Sequence, residues 1–240
     1  MLLENGADVN LCSKYVESPL YAACEDGDES IVQLLLEQNA VVNLRSNDNA
    51  SPLLIACKTG NKRVVQLLLK HGADVNLFSE LDTSPLHAAC EIGNERIEIL
   101  LLNKGADINL LLKKKGSPLR VACKHGNENS VRLLLEKGAN VNLYSKNKSS
   151  PLYAACKSEN ESIARLLLQN GADVNLCSEK GSPLYIACVN NNTSIIHLLL
   201  ESGADINLYS SFERSPLHVA CKAGNKRIVN LFLEKNAKIS

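Results

Sequence analysis

Residues 51–77 read SPLLIACKTGNKRVVQLLLKHGADVNL, and the fold follows from this stretch. Ser51 is suited to cap a helix, because its hydroxyl can accept a bond from a free amide of the first turn. Pro52 follows at the first helical position, where a missing N–H is harmless. Leu53, Ala56 and Cys57 then share one helical face, and its small side chains let a second helix approach closely. Gly60 ends the helix through the left-handed conformation that glycine adopts readily. A second helix is expected from about Asn61 to Lys70, where Val64, Val65, Leu67, Leu68 and Leu69 are apolar nearly all round. A lone surface helix shows a single apolar stripe, so this one needs neighbours on both flanks. Gly72 stops it, and residues 73–77 run extended into a turn.

The unit recurs along the whole chain. Ser-Pro-Leu begins at Ser18, Ser51, Ser84, Ser117, Ser150, Ser182 and Ser215, 33 residues apart with one step of 32, and accounts for all seven prolines. Such a period means stacked copies of one small unit, each burying apolar surface against the next. The position that stops the second helix holds Gly6, Asn39, Gly72, Gly105, Gly138, Gly171, Gly203 and Asn236, with asparagine as the usual substitute for a left-handed glycine. The leucine run recurs at Leu34–Leu36, Leu100–Leu102, Leu133–Leu135, Leu166–Leu168 and Leu198–Leu200. Each buried leucine contributes about 1.5–3 kcal/mol.

This unit resembles the ankyrin repeat, whose pattern is Thr-Pro-Leu-His, two short helices, and Gly-Ala-Asp-Val-Asn before a β-hairpin finger. Ser-Pro-Leu stands here for Thr-Pro-Leu, and the histidine position holds Tyr21, Leu54, His87, Arg120, Tyr153, Tyr185 and His218. Gly-Ala-Asp-Val-Asn is complete from Gly6, Gly72 and Gly171, and has Ile for Val from Gly105 and Gly203. The resemblance covers essentially all of the chain. It implies an all-α solenoid of stacked helix-turn-helix units with β-hairpin fingers, forming a single ankyrin-repeat domain over 1–240. Repeats are expected to start near 18, 51, 84, 117, 150, 182 and 215. Residues 1–17 form a partial unit, and neither end carries a polar cap, so the chain is expected to be a piece of a longer array.

Two departures from the family pattern matter. The glycine two residues before the Ser-Pro-Leu serine is replaced in every repeat, by Asn49, Asp82 and Lys115 among others, while Gly116 and Gly181 sit one place later. The glycine between the helices gives way to Glu159 and Asn191, and the short step falls between them. A non-glycine left-handed residue costs roughly 1–2 kcal/mol, so 157–192 is expected to be the weakest stretch.

Composition narrows the function. Twenty-six basic and 26 acidic residues give zero net charge, which argues against a general nucleic-acid binder, since such proteins carry a basic excess. No apolar run has the ~18 residues of a membrane span, and the start lacks a signal peptide. A cytoplasmic or nuclear compartment and a monomeric chain with no membrane role are therefore expected. Seven of the nine cysteines, Cys24, Cys57, Cys90, Cys123, Cys156, Cys188 and Cys221, share one repeat position. Stacked units repeat at roughly 8–10 Å, beyond the ~7 Å limit of a disulfide, so these cysteines are read as small buried apolar residues. Cys12 and Cys177 fall in connecting loops and are expected to be the reactive thiols. No zinc spacing, phosphate-cradling loop or nucleophile motif is present, and the reading expects no catalytic residue, metal or cofactor.

The expected function is that of a non-enzymatic scaffold for a protein partner. By the family resemblance, binding would use the concave face, formed by finger tips and the exposed side of each first helix. The middle of that face is basic, and Arg120, Lys124, His125, Lys157, Lys113, Lys114 and Lys146 are the candidate contacts for an acidic segment, since clustered cations attract such a partner. Arg120, which stands where the family has histidine, could grip a carboxylate or phosphate with two bonds. Tyr15 and Phe212, at finger tips, are candidate aromatic anchors. Tyr153 and Tyr185 are either contacts or packing between units. The pairing of Ser-Pro-Leu with an Ala-Cys first helix also resembles arrays of the SOCS-box group, which implies as an alternative a substrate-recognition adaptor of a multi-subunit enzyme such as a ubiquitin ligase. A structural spacer with no partner is a further, separate alternative.

Overall fold

In the computed structural model, residues 8–12, 17–144, 149–179, 181–208 and 214–235 are described. They fall into two compact units, residues 1–108 and 109–240. The first holds α1 (Pro19–Asp26), α2 (Glu29–Glu37), α3 (Pro52–Thr59), α4 (Lys62–Lys70), α5 (Pro85–Ile92) and α6 (Glu95–Asn103). The second holds α7 (Pro118–His125), α8 (Glu128–Glu136), α9 (Pro151–Lys157), α10 (Glu161–Gln169), α11 (Pro183–Val189), α12 (Thr193–Glu201), α13 (Pro216–Lys222) and α14 (Lys226–Glu234). Each odd helix packs on the even helix that follows it. Within the first unit the first helices stack as α1, α3, α5, and within the second as α7, α9, α11, α13.

The caps read from the sequence set these boundaries. Every first helix has serine at its N-cap and proline in its first turn, as at Ser51, whose Oγ accepts from the Leu54 amide at 3.1 Å. Asn61 caps α4, accepting from the Arg63 and Val64 amides. Gly60 closes α3 at φ 76°, and Gly72 follows α4 at φ 82°. Glu159 and Asn191 hold the left-handed conformation without being glycine, at φ 58° and 54°.

The first helices are the better buried. All of Pro52 to Cys57 is buried, as is all of Pro151 to Cys156. In the leucine runs burial centres on the middle residue, with Leu68, Leu101, Leu134, Leu167 and Leu199 fully enclosed while Leu67 and Leu166 are half-exposed. Cys24, Cys57, Cys90, Cys123, Cys156 and Cys188 are buried and free, in line with their reading as small apolar residues. Cys221 departs from the series and is exposed. Cys177 is only half-exposed, and burial, followed by Asp173 and Asp205, raises its thiol pKa, so Cys12 is the loop thiol open to reagents.

The fingers are shorter than hairpins. Among the described residues they close through single bridges, Leu112 with Gly116 and Ser178 with Gly181. Asn49 and Asp82 take the left-handed turn position at φ 58° and 61°, whereas Gly116 and Gly181 take it one place later at φ 79° and 110°. Side-chain bonds stitch neighbouring repeats. Asn76 Oδ1 accepts from the Asp107 amide at 2.8 Å while its Nδ2 donates to the Gly105 carbonyl, and Asn142 and Asn175 repeat both bonds in the second unit.

Candidate functional site

The second unit carries a basic face on its first helices. Lys124 lies in the last turn of α7 and Lys157 ends α9, both exposed, because positions near a first helix's C-terminus point away from the stack. Arg120, Lys124 and Lys157 line a groove of about 240 Å³ together with Ser149, Ala154 and Ser158. No carboxylate lines it.

Arg120 is held rather than waving. Its Nη1 donates to the Lys115 carbonyl at 2.7 Å and its Nε to Ser149 Oγ at 3.4 Å. Both partners are neutral, and burial pushes the guanidinium pKa below its ordinary value. A guanidinium has five N–H donors, so Nη2 and one further proton on Nη1 remain beyond these two bonds. Gly116 makes room for this posture, since a Cβ there would stand 2.7 Å from Arg120 Cδ.

The other candidate residues divide. Lys113 and Lys114 are exposed in the turn between Leu112 and Gly116, outside the groove lining. His125 is exposed, and its Nδ1–H donates to the Val121 carbonyl at 3.0 Å. Lys146, Tyr15 and Phe212 lie outside the described residues. Tyr153 is buried, which answers its ambiguity in favour of packing, and Tyr185 is half-exposed and lines a groove.

That second groove, of about 350 Å³, lies between α11 and α13 and is lined by Tyr185, Val189, Arg214, His218, Val219, Lys222 and Ala223. Arg214 is the residue sequence reasoning missed; it stands just before the capping Ser215, a place the finger-and-helix pattern did not single out.

The zero net charge is a cancellation. Residues 1–108 contain eight Lys or Arg and sixteen Asp or Glu, a formal charge of −8, and residues 109–240 contain eighteen and ten, a formal charge of +8. The first helices of the second unit are uniformly free of acid. Helices α7, α9, α11 and α13 hold Arg120, Lys124, Lys157 and Lys222 and no carboxylate, whereas in the first unit α1 and α5 hold Glu25, Asp26 and Glu91 and α3 holds Lys58. On the second helices the charges pair instead, as Arg132 with Glu128 at 2.6 Å and Arg165 with Glu161 at 2.8 Å. The second unit therefore has one face with balanced charge and one without.

Among the described residues no helix is long and apolar enough to cross a membrane, and no group of three or more His, Cys, Asp or Glu is placed to hold a metal. A family model described as ankyrin repeats (3 copies) matches residues 1–79, 77–145 and 152–240. Among solved structures, the crystal structure of the human ASB11 ankyrin repeat domain is similar, with a TM-score of 0.79 and 28% sequence identity over 93% of this chain and 100% of that one. No curated protein sequence matches the chain.

Proposed function

The chain belongs to the ankyrin-repeat family, and from that premise we propose that it is a non-enzymatic scaffold that binds an acidic segment of a protein partner on the first-helix face of its second unit. Ankyrin repeats mediate protein–protein interaction, which sets the class. The observation that carries the site is the groove of Arg120, Lys124 and Lys157, three cations with no carboxylate in the lining. An uncompensated cluster of this kind attracts an anionic partner and fixes its register.

The test is affinity capture from cell lysate. Arg120 is a poor first target, because its bonds to Lys115 and Ser149 give it a structural part. Lys124 and Lys157 are exposed, so Lys124→Glu with Lys157→Glu changes charge and leaves the packing alone. The expected outcome is a protein recovered by the native chain, recovered about tenfold less by this variant, and recovered undiminished by a control with Arg132→Ala and Arg165→Ala on the second helices. Circular dichroism checks that each variant is folded. Equal recovery by native chain and double variant would overturn the site.

A second reading is favoured by the resemblance of the Ser-Pro-Leu and Ala-Cys pattern to SOCS-box arrays and by the likeness to the ASB11 ankyrin repeat domain. In it the same face presents a substrate to a multi-subunit enzyme such as a ubiquitin ligase. Ligase subunits recovered along with the partner would distinguish it from simple scaffolding.

A further inference from the structure

The two grooves of the second unit lie on one run of first helices. The first is lined from α7 and α9, the second from α11 and α13, and α9 packs on α11 between them. Neighbouring packed helices stand roughly 8–10 Å apart, so two steps along the row separate the grooves by roughly 16–20 Å. An extended chain advances about 3.3 Å per residue and covers that distance in about five or six residues.

The grooves differ in chemistry. The first offers three cations and two serine hydroxyls around one alanine. The second sets Tyr185, Val189 and Val219 together, with Arg214, His218 and Lys222 around them. Val189 is 48% exposed, so its side chain is open to a ligand in the groove it lines. Neither lining contains an aspartate or glutamate, so both favour the same sign of ligand.

We infer that the two grooves together hold a single extended acidic peptide segment, with an aspartate or glutamate side chain against Arg120, Lys124 and Lys157 and a large apolar side chain about five or six residues away against Tyr185, Val189 and Val219. The inference rests on the protein-binding reading above and adds to it the partner's motif. The charged groove supplies register, because Arg120 is oriented by Lys115 and Ser149 before any ligand arrives. The apolar groove supplies a side-chain anchor at a fixed distance, which a purely electrostatic surface would not require.

Selection of a random 12-residue peptide library displayed on phage against the folded full chain tests this. The expected enriched peptides pair an acidic residue with a large apolar one five or six positions apart. A representative peptide, synthesised and measured by fluorescence anisotropy, should lose about tenfold in affinity on Lys124→Glu with Lys157→Glu, and about tenfold on Val189→Asp. Replacing the peptide's acidic residue by its amide should weaken binding to the native chain and leave binding to the lysine variant nearly unchanged. Enriched peptides insensitive to both groove variants would overturn the two-groove motif while leaving protein binding standing. Failure to enrich any peptide would overturn the extended-peptide motif, and the protein-binding reading would still be decided separately by capture of a partner from lysate. A fluorescent single-stranded DNA 12-mer bound more tightly than the peptides, and lost on the same variants, would overturn the assignment in favour of a nucleic acid.

Discussion

Arg120 occupies a position where the family has histidine, and it combines two tasks. Its guanidinium ties the finger carbonyl of Lys115 to Ser149 of the next repeat, and the residue also lines the groove. The sequence marked this residue as unusual. It did not reveal the tethering, which depends on the space left by Gly116 and on a partner 29 residues away. The cysteines were more legible, because a residue that recurs with the repeat period inherits the burial of its position. Burial pushes the Cys24 and Cys188 thiols up to about 12 and raises those of Cys57, Cys123 and Cys156 as well, and only the thiolate attacks an alkylating agent. Treating the folded chain with iodoacetamide near neutral pH should label Cys12 and Cys221 first, Cys177 more slowly, and the six buried thiols only after unfolding. Peptide mass spectrometry reads the order, and early labelling of Cys57 or Cys123 would contradict the packing.

At the scale of the helix pair, most of what defines an element is local, and local signals can be read directly. Serine, proline and glycine in fixed order mark both ends of α3, from the Ser51 cap to Gly60, and α4 starts after its Asn61 cap and ends just before His71 and Gly72. The asparagine stitches were not legible, since Asn76 to Asp107 or Asn142 to Asp173 are bonds across 31 residues that only the stacking creates. The shortened fingers escaped for a related reason, because the left-handed residue shifts by one place between Asp82 and Gly116. Glu159 tests the energetic side of the caps. It holds φ 58° and no side-chain bond is needed there, so Glu159→Gly should remove strain and raise stability by about 1 kcal/mol. Asn191→Gly should gain less, because Asn191 Oδ1 accepts from Asn225 Nδ2 at 2.7 Å. Urea denaturation followed by circular dichroism checks both, and a lower midpoint for Glu159→Gly would show that the left-handed position is not strained.

At the scale of the whole chain, total charge was a misleading guide. A sum of zero argued against a general nucleic-acid binder, and it conceals −8 over residues 1–108 and +8 over residues 109–240. The repeat architecture explains how this arises. Core positions are fixed by packing in every copy, so the exposed ends of the first helices are free to differ, and they change from Glu25 and Asp26 in α1 to Lys124 in α7 and Lys157 in α9. The basic middle was visible in the sequence as a run of lysines. The absence of carboxylates from both groove linings, and the entry of Arg214 into the second, required the folded chain. The most direct measurement is lysine footprinting, in which the chain is acetylated with and without its captured partner and the modified peptides are compared by mass spectrometry. Lys124, Lys157 and Lys222 should become protected while Lys226 and Lys235, on and just after the last second helix, should not. Protection confined to second-helix lysines, or no change at Lys124 and Lys157, would contradict it.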